Sequence, residues 1–161
     1  MCLLADHLSS GVFMMTQTSP RTWTPWLTLA GTLPFLLPAI WLSLGWSWTL
    51  LGDAHWLLSS YGLLIVSFMA GSLWGIHLRR TDGWSRFLPV FTNVIALVCW
   101  FSFLLLSFVA QMWILALSFT LLWLVDLKLW QEHIITRGYM AVRTVASFIV
   151  VCSLLLAGGV V

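Results

Sequence analysis

The stretch that decides the fold is Tyr61-Gly62-Leu63-Leu64-Ile65-Val66-Ser67-Phe68-Met69-Ala70-Gly71-Ser72-Leu73-Trp74-Gly75-Ile76-His77, which contains no Asp, Glu, Lys or Arg. With Leu57 to Ser60 before it, the uncharged run reaches the roughly 20 residues that carry a helix across a bilayer core of about 30 Å. Ser67, Gly71 and Gly75 recur at i, i+4 and i+8 on one face. Small residues at that spacing let a second helix approach closely, and van der Waals packing then drives association in lipid. The reading assigns these three to helix packing, with another span of the same chain as the favoured partner and a separate subunit as the alternative.

Working outward, the same character extends over the chain. Charged residues make up only 7% and apolar residues 61%, against roughly 25% charged in a soluble domain. A domain near 150 residues buries only about 70% of the surface its unfolded chain exposes. So much apolar side chain therefore calls for lipid as solvent. Apolar runs over 26–48, 57–76, 88–109, 112–127 and 139–161 predict an all-α integral membrane bundle of five transmembrane helices, one domain over 25–161. A tight turn around Ala110-Gln111 is expected to separate the third and fourth spans. Residues 1–24 read as a polar, disordered tail without the continuous apolar segment of a secretory signal. Met14 and Met15 offer later starts within it.

The cations orient the bundle. Arg21 precedes the first span, Arg79, Arg80 and Arg86 lie between the second and third, and Lys128, Arg137 and Arg143 flank the link from fourth to fifth. The other loops carry none. Since Lys and Arg concentrate in cytoplasmic loops, the amino terminus is expected in the cytoplasm and the carboxyl terminus outside. Most tryptophans, among them Trp26, Trp46, Trp48, Trp56, Trp84 and Trp130, fall at span ends where indole anchors to the interface. Basic residues set between apolar runs form no patch for nucleic acid, so membrane lipids and other integral membrane subunits are the expected partners.

Few residues could carry chemistry. Pro34 and Pro38 predict a kink or break in the first span. Asp126, at the end of span four, and Arg143, near the start of span five, are expected to form an ion pair, because each charge lies close to hydrocarbon and opposes its helix dipole. Tyr61, Trp74, His77 and Asn93 are weaker candidates, with Asn93 placed about a turn into the third span. The histidines, His7, His55, His77 and His133, never share a span, and Cys2, Cys99 and Cys152 form no CxxC pattern. No metal site and no cofactor are expected. Neither GxSxG, HExxH, a P-loop nor paired carboxylates occur, so no enzyme activity is expected. A cytoplasmic cluster of His77, Asp126, Glu132, His133 and Arg143 is the one arrangement that an enzyme reading would use.

The string Tyr61-Gly62, Ile65, Ser67-Phe68, Gly71 and Trp74-Gly75 resembles the Y-G-x-x-I-x-S-F-x-x-G-x-x-W-G signature of the domain of unknown function 3429 family, which includes the transmembrane protein 69-like proteins of mitochondria. Leu33-Pro34-Phe35, Asp126, and Tyr139 with Arg143-Thr144 are similar to that family's pattern as well. Val142 and Gly138 depart from it, standing where members often show leucine and proline. The resemblance implies five spans and an inner membrane, and it brings no activity. The expected role is an accessory or assembly subunit of a larger membrane complex, in the bacterial inner membrane or, alternatively, the mitochondrial inner membrane. A small permease or channel for an uncharged or lipid-like solute is the other reading, with Pro34, Pro38 and Asn93 as lining.

Overall fold

The computed structural model describes residues 23–78 and 83–160, except for the side chains of residues 23–25 and of His77. The tail expected over 1–24 lies outside the described residues, apart from Trp23 and Thr24, which already open the first helix. Arg79 and Arg80 also lie outside them.

Five helical spans cross the bundle. The first is broken in two: α1 covers Trp23–Ala30 and α2 covers Leu33–Ser43. Pro34 explains the break, because it has no N–H for the Ala30 carbonyl and its ring crowds that position. The chain therefore resets at Gly31-Thr32, and Pro34 falls in the first turn of α2, where a missing donor costs nothing. Pro38 sits inside α2 and is buried. The helix ends at Ser43 rather than at the expected residue 48. Gly45 takes φ +79°, and the bonds Trp46 N–H to Trp41 O (3.1 Å) and Gly45 N–H to Leu42 O (3.0 Å) close a Schellman cap.

A short antiparallel hairpin follows, β1 (Trp48–Thr49) with β2 (Gly52–Asp53), pairing Trp48 with Asp53 and Thr49 with Gly52. Asp53 then caps α3 (Ala54–His77) by accepting the His55 N–H at 2.7 Å. Helix α4 covers Gly83–Leu105, α5 Phe108–Gln131 and α6 Arg137–Val160. At 1.5 Å per residue each of the last four is roughly 35 Å long, enough to clear the hydrocarbon and reach both interfaces.

Other boundaries moved relative to expectation as well. The turn between α4 and α5 lies at Leu106-Ser107, not at Ala110-Gln111, with Ser107 extended at the N-cap position. Gln111 instead donates its N–H to Ser107 O inside the first turn of α5. In an unbroken apolar run hydropathy has no minimum to mark the turn; the extended backbone of Ser107 marks it, and its side chain makes no capping bond. Helices α4 and α5 also extend beyond the apolar windows, into the more polar Gly83–Arg86 and Lys128–Gln131 segments, because backbone hydrogen bonding continues into the interface after the hydrocarbon ends.

Helix α5 is the most internal, packing on α3, α4 and α6, while α2 bridges α3 and α6. Its inward residues Met112, Leu115, Phe119, Leu122 and Leu129 are all at most 1% exposed and meet Phe35, Leu58, Leu73, Leu88 and Leu154 from the other spans. A Cβ on Gly62 would stand 2.8 Å from Leu115 Cδ1, so a glycine there lets α3 and α5 touch. Large apolar side chains such as Leu64, Phe68, Val94, Leu117 and Phe148 point outward along the spans, as lipid solvation requires. Arg86, Lys128 and Arg137 gather at one end of the bundle; at the opposite end Asp53 is the single charged residue among those described.

Candidate functional site

Two polar features stand out, one inside the bundle and one on its lipid-facing side. Inside, α5 presents Asp126 and α6 presents Arg143 at the same depth, and Arg143 Nε donates to Asp126 Oδ2 at 2.8 Å. Asp126 is 1% exposed and the Arg143 side chain 11%. Contrary to expectation, Asp126 does not end its helix, which runs on to Gln131, and Arg143 lies six residues after the start of α6. Helix-dipole effects fade within one turn of an end. The force that joins the pair is therefore mutual charge compensation in a desolvated site. The contact is single rather than bidentate, and Asp126 Oδ1 and Arg143 Nη2 remain buried without a protein partner among the described residues.

A second cross-link joins the same helices. Trp123 Nε1 donates to Thr144 Oγ1 at 3.0 Å, and that hydroxyl donates to Met140 O at 2.8 Å. The sequence signal for this bond is only that a deep indole N–H needs an acceptor. Trp74 behaves alike, donating from Nε1 to Thr92 Oγ1 at 3.1 Å while Thr92 donates to Leu88 O at 2.8 Å. Tyr61 braces the broken first span. Its hydroxyl donates to the Gly31 carbonyl at 3.0 Å, one of the groups freed by the break, and its ring meets Phe35 edge-on at 5.0 Å.

Ser67, Gly71 and Gly75 occupy an outward face of α3, all exposed, and a Cβ on either glycine would meet nothing within 4 Å. The expected intramolecular partner is thus not there. Leu58, Val66, Met69 and Leu73 already turn inward, and the small-residue stripe lies about one residue, roughly 100°, around the helix from them. Beside the stripe runs a groove of about 300 Å³ between α3 and α4, lined by Ser67, Ala70, Gly71, Trp74, Thr92, Asn93 and Ala96. Asn93 is ten residues into α4 because that helix starts at Gly83. It therefore sits roughly 15 Å along the axis, near mid-span, rather than a turn from the interface. Its exposed side chain makes no hydrogen bond among the described residues.

The cluster on which an enzyme reading would rest is divided. Asp126 and Arg143 face each other, whereas Glu132 Oε2 accepts from Trp84 Nε1 at 2.7 Å on the surface. His133 is exposed in the left-handed region at φ 58°, and the His77 side chain lies outside the described residues. No group of three or more His, Cys, Asp or Glu that could hold a metal occurs among the described residues. At the opposite end, the His55 backbone N–H holds the Asp53 carboxyl below its ordinary value, with the His55 ring Nδ1 3.0 Å from the same oxygen.

A family model described as Protein of unknown function (DUF3429) matches residues 20–158. No curated protein and no solved structure matches.

Proposed function

Given that the chain belongs to the DUF3429 family, we propose that it is an accessory or assembly subunit of a larger complex in the bacterial inner membrane, docking through the outer face of α3 and α4. The carrying observation is Asn93, an amide near mid-span that turns outward without a bond and borders the groove beside Gly71. In hydrocarbon an unsatisfied amide is costly. A neighbouring transmembrane helix relieves that cost by supplying a donor and an acceptor, and the bare Gly71 and Gly75 let its backbone come close. Inside the bundle most polar side chains bond to one another or to their own backbone, with Gln111 Nε2, Asp126 Oδ1 and Arg143 Nη2 the buried exceptions among the described residues. The cation-bearing end supports a cytoplasmic placement of the amino terminus.

The permease reading draws less support. Pro38 is buried in α2, whereas Asn93 faces outward from α4, so the two do not line a shared path. The test is purification from native membranes in mild detergent, comparing wild type with Gly71→Leu. Nothing stands within 4 Å of a Cβ at Gly71, so the variant keeps its thermal stability. It is expected to lose the larger particle and the defined membrane subunits that accompany wild type. A wild-type protein that emerges as a lone particle, or a variant that keeps the same companions, overturns the proposal.

A further inference from the structure

Where the amino end of α4 meets the carboxyl end of α5, an open groove of about 490 Å³ is lined by Gly83, Trp84, Phe87 and Glu132. Trp84 stands edge-on to Phe87 at 5.7 Å, and Phe87 stacks on Phe91 at 5.3 Å. The three aromatics, at i, i+3 and i+7 of α4, form a strip roughly 10 Å long running from the interface into the hydrocarbon. At its mouth stands the Glu132 carboxylate, which uses Oε2 to accept from Trp84 and has no ion-pair partner among the described residues. The arrangement is thus a carboxylate pinned at the edge of an aromatic strip, at the level of lipid headgroups.

We propose that this groove binds the headgroup and upper acyl chain of a phospholipid with a primary-amine headgroup. Glu132 Oε1 accepts from the ammonium, while the strip of Trp84, Phe87 and Phe91 takes the apolar part of the lipid. A primary ammonium fits better than a trimethylammonium, because only the former has an N–H for Oε1. Charge order along the membrane normal agrees with a zwitterion. Lys128 precedes Glu132 by one turn on α5 and lies roughly 6 Å nearer the hydrocarbon, the side on which a lipid phosphate sits below its amine. The strip runs from the interface into the hydrocarbon, so its occupant is a lipid rather than a soluble amine.

The test is native mass spectrometry of the full chain taken from nanodiscs with equal amounts of ethanolamine, choline and glycerol phospholipids of identical chains. Wild type is expected to retain the ethanolamine lipid about tenfold over the choline lipid, the discrimination of one charge-assisted hydrogen bond. Glu132→Gln keeps an acceptor for Trp84 but removes the charge, and the preference is expected to disappear. Trp84→Phe, which releases the carboxylate, should weaken it in part. Thermal midpoints of both variants report that the bundle is intact, since Glu132 is exposed. Equal retention of ethanolamine and choline lipids, a preference for the anionic glycerol lipid, or an ethanolamine preference that survives Glu132→Gln each overturns the assignment.

Discussion

Replacing Arg143 by Met and Asp126 by Leu, singly and together, interrogates the one charged contact inside the bundle. With Asp126 at 1% and Arg143 at 11% exposure, removing either partner strands a charge that neither water nor a second side chain reaches in place. Losing one partner of a buried pair typically costs about 3–5 kcal/mol. The two cases should differ. Arg143 has a long stem and a remnant of exposure, so it can swing its head toward the interface when Asp126 is lost; the short Asp126 side chain cannot. Arg143→Met is therefore expected at the upper end of that range and Asp126→Leu at the lower. In the double variant no charge remains, and hydrophobic side chains of similar bulk fill the site, so the cost should fall to about 1 kcal/mol or less. Thermal unfolding in detergent, followed by near-ultraviolet dichroism, reads this out. For a chain of this size 1 kcal/mol shifts the midpoint by about 2–4 °C, so the single variants should melt roughly 10 °C early and the double near wild type. Single-variant costs that simply add, within about 0.5 kcal/mol, would show that the two side chains act independently and refute the reasoning.

Gly62→Ala places a Cβ 2.8 Å from Leu115 Cδ1; it should cost about 1 kcal/mol, the low end of overpacking because a leucine tip can swing, and Leu115→Val should restore the loss in a thermal melt. His133 holds φ 58° at the capped end of α5, where Ile134 N–H bonds Leu129 O at 2.9 Å. His133→Gly should raise the thermal midpoint, with a gain of about 0.5–1 kcal/mol after the unfolded-state entropy of glycine is subtracted; a lower midpoint would contradict the cap. The depressed pKa of Asp53 makes its capping contribution complete above the unfolded carboxyl value near 4 and lost as pH falls through the lower folded value. Hydrogen exchange at the His55 amide should accordingly rise in acid beyond its intrinsic pH dependence for wild type, and not for Asp53→Asn, which caps without titrating.

Hydropathy together with length located all five spans: the third and fourth share one apolar run and separate only because that run is too long for a single crossing. It misplaced the ends for a physical reason. Helical hydrogen bonding persists into the interface, so Gly83–Arg86 and Lys128–Gln131 are helical although they are not apolar. That shift of five residues in α4 moved Asn93 from about a turn into the span to near its middle. Asp126 and Arg143 were legible as a pair because two charges in a nearly chargeless chain must answer each other. The partners of Trp74, Trp84 and Trp123 were not legible: each acceptor, Thr92, Glu132 and Thr144, lies on a different turn or helix, and only the helix rotation selects it. Rotation also decided the stripe of Ser67, Gly71 and Gly75. Its periodicity was plain in the sequence, but which way it faces depends on the side of α3 that Leu58, Val66 and Leu73 claim for the core.

The distribution of polar groups argues that the working surface of this bundle is its outside. Water cannot satisfy a donor in hydrocarbon, so an interior polar group needs a fixed protein partner. Cys99 donates to Ser118 at 3.1 Å, Trp123 to Thr144, Tyr61 to the Gly31 carbonyl and Arg143 to Asp126. Each bond ties two spans together; the buried atoms still unbonded among the described residues are Gln111 Nε2, Asp126 Oδ1 and Arg143 Nη2. Asn93 and Glu132 differ, because each keeps hydrogen-bonding capacity unused on an exposed face, one near mid-span and one at the interface. A neutral amide at depth suits another helix; a carboxylate at headgroup level suits a cationic headgroup. If both faces are occupied in the membrane, Asn93→Leu and Glu132→Gln should leave the isolated bundle equally stable while changing different companions, the first its protein partners and the second its lipids. A solubilised protein in which either substitution changed both sets would show that the two surfaces form one site.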